Sequence, residues 1–366
     1  VQAIPVNEIA ICDLNSWTPP PNVKSYPTGD LLMDGSPEMV ELPISVAVDP
    51  LLGRLVFTED NEPADPPIVS YNYGFSGDVG GGPYGRQDSL PLEDNLVNPA
   101  SMFLARVDQN AAGPGIHNTL TAAVAAWHAA AERVGVIAIT DNRTYVESLT
   151  GGDAIRAGAE EQLYIVGAQP FDPQVTTRLD LRDIRPHLQG NLSLAGSAPA
   201  DEENPGSVWI NGLLIEGRVR VLAGNLGRLV LQHCTVDPGS GDLRAESASN
   251  DRLQVELDHA ICGGILLEDT VPDLTVQDSI IDNQDGADIV APGAEVHIKN
   301  STIWGQDDDL AADPTMRVLH ASETIFHGRL LVERRLVGCV RFSVLPIDSR
   351  TPRRFRCQPN LALVDV

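Results

Sequence analysis

The chain has 366 residues, is 42 % apolar and 5 % aromatic, and carries a formal charge of −26. That length fits two or three ordinary domains or one long repetitive one, and the apolar share is enough for a packed core. The charge argues against a nucleic-acid partner, which needs a positive face, and no apolar run approaches the ~18 residues of a membrane span.

The chain opens on Val1 with no basic stretch leading into an apolar one, so it reads as a fragment or trimmed form without a visible signal peptide. Residues 1–100 read as a loop-rich β module broken by the triple proline Pro19–Pro21. "SVAVDPLLGRLVF" (Ser45–Phe57) alternates, turns and alternates again, which predicts a hairpin. "IVSYNYGF" (Ile68–Phe75) predicts a third strand. The glycine run of "SGDVGGGPYGR" (Ser76–Arg86) lacks the lysine and helix start of a phosphate loop and reads as a tight turn or bulge.

Residues 101–135 read as a linker and a cap helix. "NTLTAAVAAWHAAAERVG" (Asn118–Gly135) has Asn118 as its cap and Gly135 as its stop. Leu120, Val124, Trp127, Ala131 and Val134 share one face, with His128 beside it. "VIAITDNRTY" (Val136–Tyr145) follows as a strand ending in a polar turn.

From Val136 to about Leu345 a phrase repeats. Its closing aliphatic residues are Ile215, Val236, Ile261, Ile281, Ile303 and Ile325, spaced 21, 25, 20, 22 and 22 residues apart. A period near 22 predicts a solenoid. Three residues before each stand Gly212, His233, Asp258, Asp278, Asn300 and Ser322, mostly types that tolerate left-handed backbone, so this position reads as a corner. Earlier still, alternating pairs such as Val208 with Ile210 and Val296 with Ile298 predict inward aliphatic columns. His320 falls in an inward slot, and the rung ending at Ile261 alternates one residue out of phase. We count nine or ten coils, and expect a right-handed all-β parallel β-helix with an N-terminal helical cap and a small β module before it.

The five cysteines have no CxxC spacing. Cys339 and Cys357 flank an arginine-rich segment and could pair, but separate thiols are the simpler reading.

The cap helix leading into "VIAITDNRTY" and the recurring phrase resemble the pectin-lyase-like β-helix superfamily over about residues 118–345. The resemblance implies the fold. It leaves the activity open, since that superfamily holds polysaccharide lyases, glycoside hydrolases, tailspikes and non-enzymatic adhesins. "AVDPLLGRLVF", "VSYNYGFSGDVGGGPYGR" and "GCVRFSVLPIDSRTPRRFRCQP" are also similar to stretches of uncharacterised bacterial phage-tail-like particle proteins. That likeness implies a bacterial protein incorporated into a particle or exposed at a surface.

"GQDDD" (Gly305–Asp309) resembles the paired-aspartate element of polygalacturonases, with Asp307 and Asp308 as catalytic candidates and Asp282 as an earlier partner. "FHG" (Phe326–Gly328) is a poor match to the later glycine-histidine-glycine element and no arginine-isoleucine-lysine element follows, so a solvated acidic loop is the simpler reading. Asp307, Asp308 and Asp309 are also weak Ca2+ candidates, and no other cofactor is expected. Arg218, Arg220 and Arg244 could supply a lyase base but stand in ordinary outward positions. The eight histidines include no HxH or HExxH pair; His320 and His327 could approach across a coil, but structural roles explain them as well.

Residues 346–366 read as an arginine-rich closure. Gly328–Cys357 carries eight arginines against Glu333 and Asp348, a net +6, which leaves the rest near −32. Arg350, Arg353, Arg354 and Arg356 are expected to clasp acidic coils or to dock a neighbouring subunit or an anionic glycan. The sequence thus favours a non-catalytic structural or recognition component of a phage-tail-like or cell-surface assembly, its partners being other subunits or itself, or a surface glycan. The alternatives are a lyase or hydrolase acting on acidic polysaccharide, and a glycan-binding adhesin.

Overall fold

A computed structural model describes residues 4–31, 37–49, 52–64, 66–67, 69, 77–82, 84–246, 249–284, 286–305 and 315–361. The chain divides into two compact units, residues 1–76 and 77–364. In the first unit, Val46–Asp49 pairs antiparallel with Arg54–Phe57 and parallel with Ile9–Ile11. The hairpin expected there is present. A second ribbon joins Val23–Leu31 to Pro37–Pro43. The expected third strand at Ile68–Phe75 falls almost entirely outside the described residues.

The second unit is an all-β parallel β-helix with three faces. Its first face stacks, among others, Val134–Ile139, Gln162–Gly167, Ser207–Asn211, Arg228–Gln232, Gln254–Asp258 and Asp273–Gln277. It continues through the second half of Ile289–Lys299 into Met316–Ser322, Gly338–Arg341 and Arg354–Phe355. The second face is an eight-stranded sheet from Thr144–Val146 to Ile325–Phe326. The third runs from Ile155–Ala157 to Ile289–Lys299, a strand long enough to turn from the third face into the first. The chain visits the faces in turn and climbs one strand spacing, about 4.8 Å, per circuit.

Inward residues of the first face form two apolar files. Leu163, Val208, Leu229, Val255, Leu274, Val296 and Leu319 make one, all fully buried. On the second face Ile215, Val236, Ile281 and Ile303 line up inside as expected. Two anchors do not. Ile261 pairs with Thr235 and Ile280, and Ile325 pairs with Thr302, so both point outward; Cys262 and Phe326 take the inward places. The corner residues move by the same step. Left-handed backbone occurs at Gly212, His233, Asp278 and Asn300 as expected, but at His259 and Glu323 in place of Asp258 and Ser322. His320 is therefore outward, and Leu253, Val255 and Leu257 are in phase after all.

The helix is shorter than expected, Leu120–His128, and its cap is Thr119, whose Oγ1 accepts from Ala122 N. Asn118 instead donates to the carbonyls of Asp108, Gln109 and Ala111. The Glu147 carboxylate accepts from Leu120 N and Thr121 N, an anion at the positive helix end. Leu120, Val124 and Trp127 are buried, but Ala131 and Val134 have left the helix. Gly135 is not a helix stop. It lies in a strand paired on both sides, where a Cβ would meet the Trp127 ring at 2.5 Å. The strand Phe103–Val107, before the helix, already belongs to the first face.

Two segments, residues 86–97 after the first unit and residues 177–181 paired with them, cover part of that face. Leu90, Val97, Leu179 and Leu181 bury the outward side chains Val136, Tyr164, Val166, Trp209 and Val230. Arg86 fixes this cover. Its guanidinium donates to Asn211 Oδ1 at 2.7 Å and to the carbonyls of Gly167 and Ile184, both at 2.6 Å. The glycine run is a close approach rather than a binding loop, since a Cβ on Gly81 would lie 2.6 Å from the Cys234 carbonyl. The outward file beyond the cover, Glu256, Thr275, His297, His320 and Cys339, is half-buried and open to solvent.

Candidate functional site

One position of each first-face strand builds a groove parallel to the stack axis. Gln162, Ser207, Arg228, Gln254, Asp273 and Glu295 follow one another in register across six coils, so the floor is roughly 25 Å long. The corner between the third and first faces supplies the walls, among them Glu160, Glu161, Glu203, Asn204, Arg252 and Arg317, around a volume of about 920 Å³. The lining is mostly polar, with Pro205 and Pro272 among the charged and amide side chains. Carboxylates and amides offer acceptors; three arginines offer donors.

Two of these arginines, Arg228 on the floor and Arg317 in the wall, are only partly satisfied. Arg228 pairs with Glu256 and lies 5.7 Å from the Trp209 ring, which stacks on Tyr164 beneath the cover. Arg228 Nε and Arg317 Nε are buried, with no acceptor among the described residues. Asp273 is half-buried, and burial raises its pKa, with Glu295 and Glu256 pushing the same way and His297 opposing.

At the end of the floor Glu295 meets two histidines. Glu295 Oε1 lies 3.3 Å from His297 Nε2 and 3.2 Å from His320 Nε2. The two rings stack at 4.7 Å with 7° between their planes, because His297 and His320 are register partners on adjacent coils. A second cluster, Asp258, His259 and Asp278, sits at the corner, where His259 stacks on His233. Burial, His259 and Arg86 push the His233 pKa down to about 4.

Asp307, Asp308 and Asp309 lie outside the described residues. Asp282 is half-buried at the end of a second-face strand, and its N–H donates to the Cys262 carbonyl. Beside it is Asp288, which the sequence did not single out. Its carboxylate accepts from Asn283 N at 3.0 Å and from Gly305 N at 2.6 Å. Burial raises its pKa to about 6 against those two bonds. The folded chain then keeps a proton that the unfolded chain releases nearer 3.8. This carboxyl therefore favours folding at low pH, and the contribution fades as pH rises through about 6. Asp288→Asn should remove a stability loss on the order of 2–3 kcal/mol between about pH 4 and pH 7. Urea unfolding of both proteins across that range checks it; parallel stability curves would rule the idea out.

In the arginine-rich tail, Arg354 donates to Thr351 Oγ1, Asn360 Oδ1 and the Ser349 carbonyl, all within the tail. Arg350, Arg353 and Arg356 are exposed, Arg356 lying over Phe355. Arg220 and Arg244 are register partners, ion-paired to Glu246 and Asp242; Arg218 also reaches Asp242. His327 stacks on Trp304 and does not meet His320. All five cysteines are free thiols.

The chain matches no protein-family model, no curated protein and no solved structure.

Proposed function

We propose that the chain is a non-catalytic recognition component, and that the axial groove of its first face holds an extended, hydroxyl-rich glycan strand. The observation that carries this reading is the groove itself, whose floor sets six polar residues in register and whose lining interleaves Arg228, Arg252 and Arg317 with carboxylates and amides. A strand of sugar hydroxyls offers donors and acceptors at closely spaced intervals along such a floor. A peptide adding as a β-strand needs a free sheet edge, whereas the floor strands Ser207–Asn211 to Asp273–Gln277 are paired on both sides. A strongly acidic polymer is disfavoured by a chain of net charge −26. The resemblance to phage-tail-like and surface proteins supplies the proposed setting, an assembly that meets glycans from outside.

A second reading has its own observation. Asp273 and Glu295 are register partners on neighbouring coils, and burial raises the pKa of Asp273. Strands about 4.8 Å apart bring two carboxylates near the roughly 5–5.5 Å of a retaining glycosidase pair.

One incubation series separates the two. Neutral oligosaccharides of increasing length are titrated against the full chain, and reducing ends are assayed in the same tubes. The recognition reading expects affinity to rise with length, to fall about tenfold or more in Arg228→Ala and Arg317→Ala, and no new reducing ends. Reducing ends abolished by Asp273→Asn would establish hydrolysis instead. Absence of binding, or binding indifferent to both arginines, would end the glycan reading.

A further inference from the structure

Glu295, His297 and His320 offer three ligand atoms that all lie within 4.8 Å of one another. Their arrangement follows from the fold. Glu295 and His297 are two residues apart on one strand and share its outward side, and His320 is the register partner of His297 one coil on. The backbone of each strand is hydrogen-bonded to both neighbours, so the three Cβ atoms are held without help from the side chains.

We propose that these residues form a binding site for a single divalent transition ion of the zinc class, with Glu295 Oε1, His297 Nε2 and His320 Nε2 as ligands. Ligand atoms about 2.0–2.2 Å from a tetrahedral ion stand roughly 3.3–3.6 Å from one another. The two Nε2–Oε1 separations, 3.3 and 3.2 Å, already match that edge. The stacked imidazoles aim their Nε2 lone pairs side by side, so each ring must swing about its χ1 and χ2 by roughly half the tetrahedral angle to meet one ion, which two solvent-open side chains can do while strand pairing holds their Cβ atoms. Two imidazoles with one carboxylate suit zinc and its transition-metal neighbours better than the oxygen-only sets that calcium takes. The strongly negative chain draws cations to its surface. Three protein ligands leave a fourth position open, which faces solvent at the end of the groove. The site stands whether or not a glycan fills that groove.

The test uses the full chain and Zn2+ alone, in competition with a chromophoric chelator. The wild-type chain should take up one ion. His297→Ala and His320→Ala should each weaken binding by more than the roughly 10–100-fold that loss of an outer-shell partner costs. His259→Ala, in the corner cluster, and Cys339→Ser, the thiol one coil beyond His320, should leave the affinity within about threefold, well short of that loss. Both histidines of the site are solvent-open, so the variants should unfold in metal-free buffer at the wild-type temperature, which separates lost ligation from lost folding. Saturable binding that is equal in the wild type and in the His297→Ala, His320→Ala double variant would overturn the assignment. So would the absence of saturable binding in the wild type, or an equal loss in His259→Ala or Cys339→Ser.

Discussion

Replacing Arg86 with methionine should lower the unfolding free energy by about 2–4 kcal/mol and free the cover from the first face. The guanidinium is 1 % exposed and meets only neutral acceptors, Asn211 Oδ1 and the carbonyls of Gly167 and Ile184. Burial and the neighbouring Arg185 both oppose its charge, so the three hydrogen bonds must offset that cost. Methionine keeps most of the stem but leaves three buried acceptors bare, and such groups cost more unpaired than their bonds contribute when made. The stack beneath keeps its own core, so the loss should be local. Limited proteolysis should cut first near the connecting loop Asp172–Thr176, whose end is tied to the cover by the Thr176 hydroxyl donating to Asn98 Oδ1 and by the pairing of Thr177 with Val97. Denaturant unfolding that changes by less than about 0.5 kcal/mol would show that the cover is held by its apolar contacts alone.

Leu274→Ala should cost about 2–5 kcal/mol, the range for a large-to-small change in a packed core. Leu274 is fully buried between Val255 and Val296 in the inward file, where neighbouring coils are fixed by strand pairing and cannot close on the space. Thr275→Ala, the next residue on the same strand but facing out, should change stability by under about 0.5 kcal/mol. The contrast between the two is the measurement. Equal effects would mean that alternate residues of this strand do not face opposite ways.

The repeat was readable because each coil must bury an apolar face against its neighbours, which forces aliphatic residues back at a near-constant interval. The errors have one physical cause. "HAICGG" and "ETIFHG" each offer two adjacent apolar residues, and choosing the isoleucine over Cys262 or Phe326 slips the register by one. A slip of one exchanges inside for outside along a strand. That single step accounts for exposed Ile325, for corners at His259 and Glu323, and for outward His320. The helix was overextended for a different reason. Ala131 and Val134 fit its apolar stripe, but Val134–Ile139 gains two strand partners by leaving it.

The candidate site was scarcely legible. The groove floor takes one residue from each coil, so its members stand 19 or more positions apart and make no local motif. His297 and His320 are 23 residues apart, close to the repeat period, and a search for histidine pairs within one turn passes over them. The usable signal was the repeat itself: chemistry-bearing residues one period apart on the outward phase are neighbours in space. Arg86 gave no such signal, because it lies in a glycine-rich connection before the repeat begins and meets its partners only through the covering segment.

Hydrogen exchange of the full chain, with and without a long neutral oligosaccharide at saturating concentration, tests the central claim most directly. The account predicts added protection along the groove walls, at Glu160–Gln162, Glu203–Ser207 and Arg252–Gln254, with the second face unchanged. Protection confined to the second face or to the arginine-rich tail, or none at all, would contradict it.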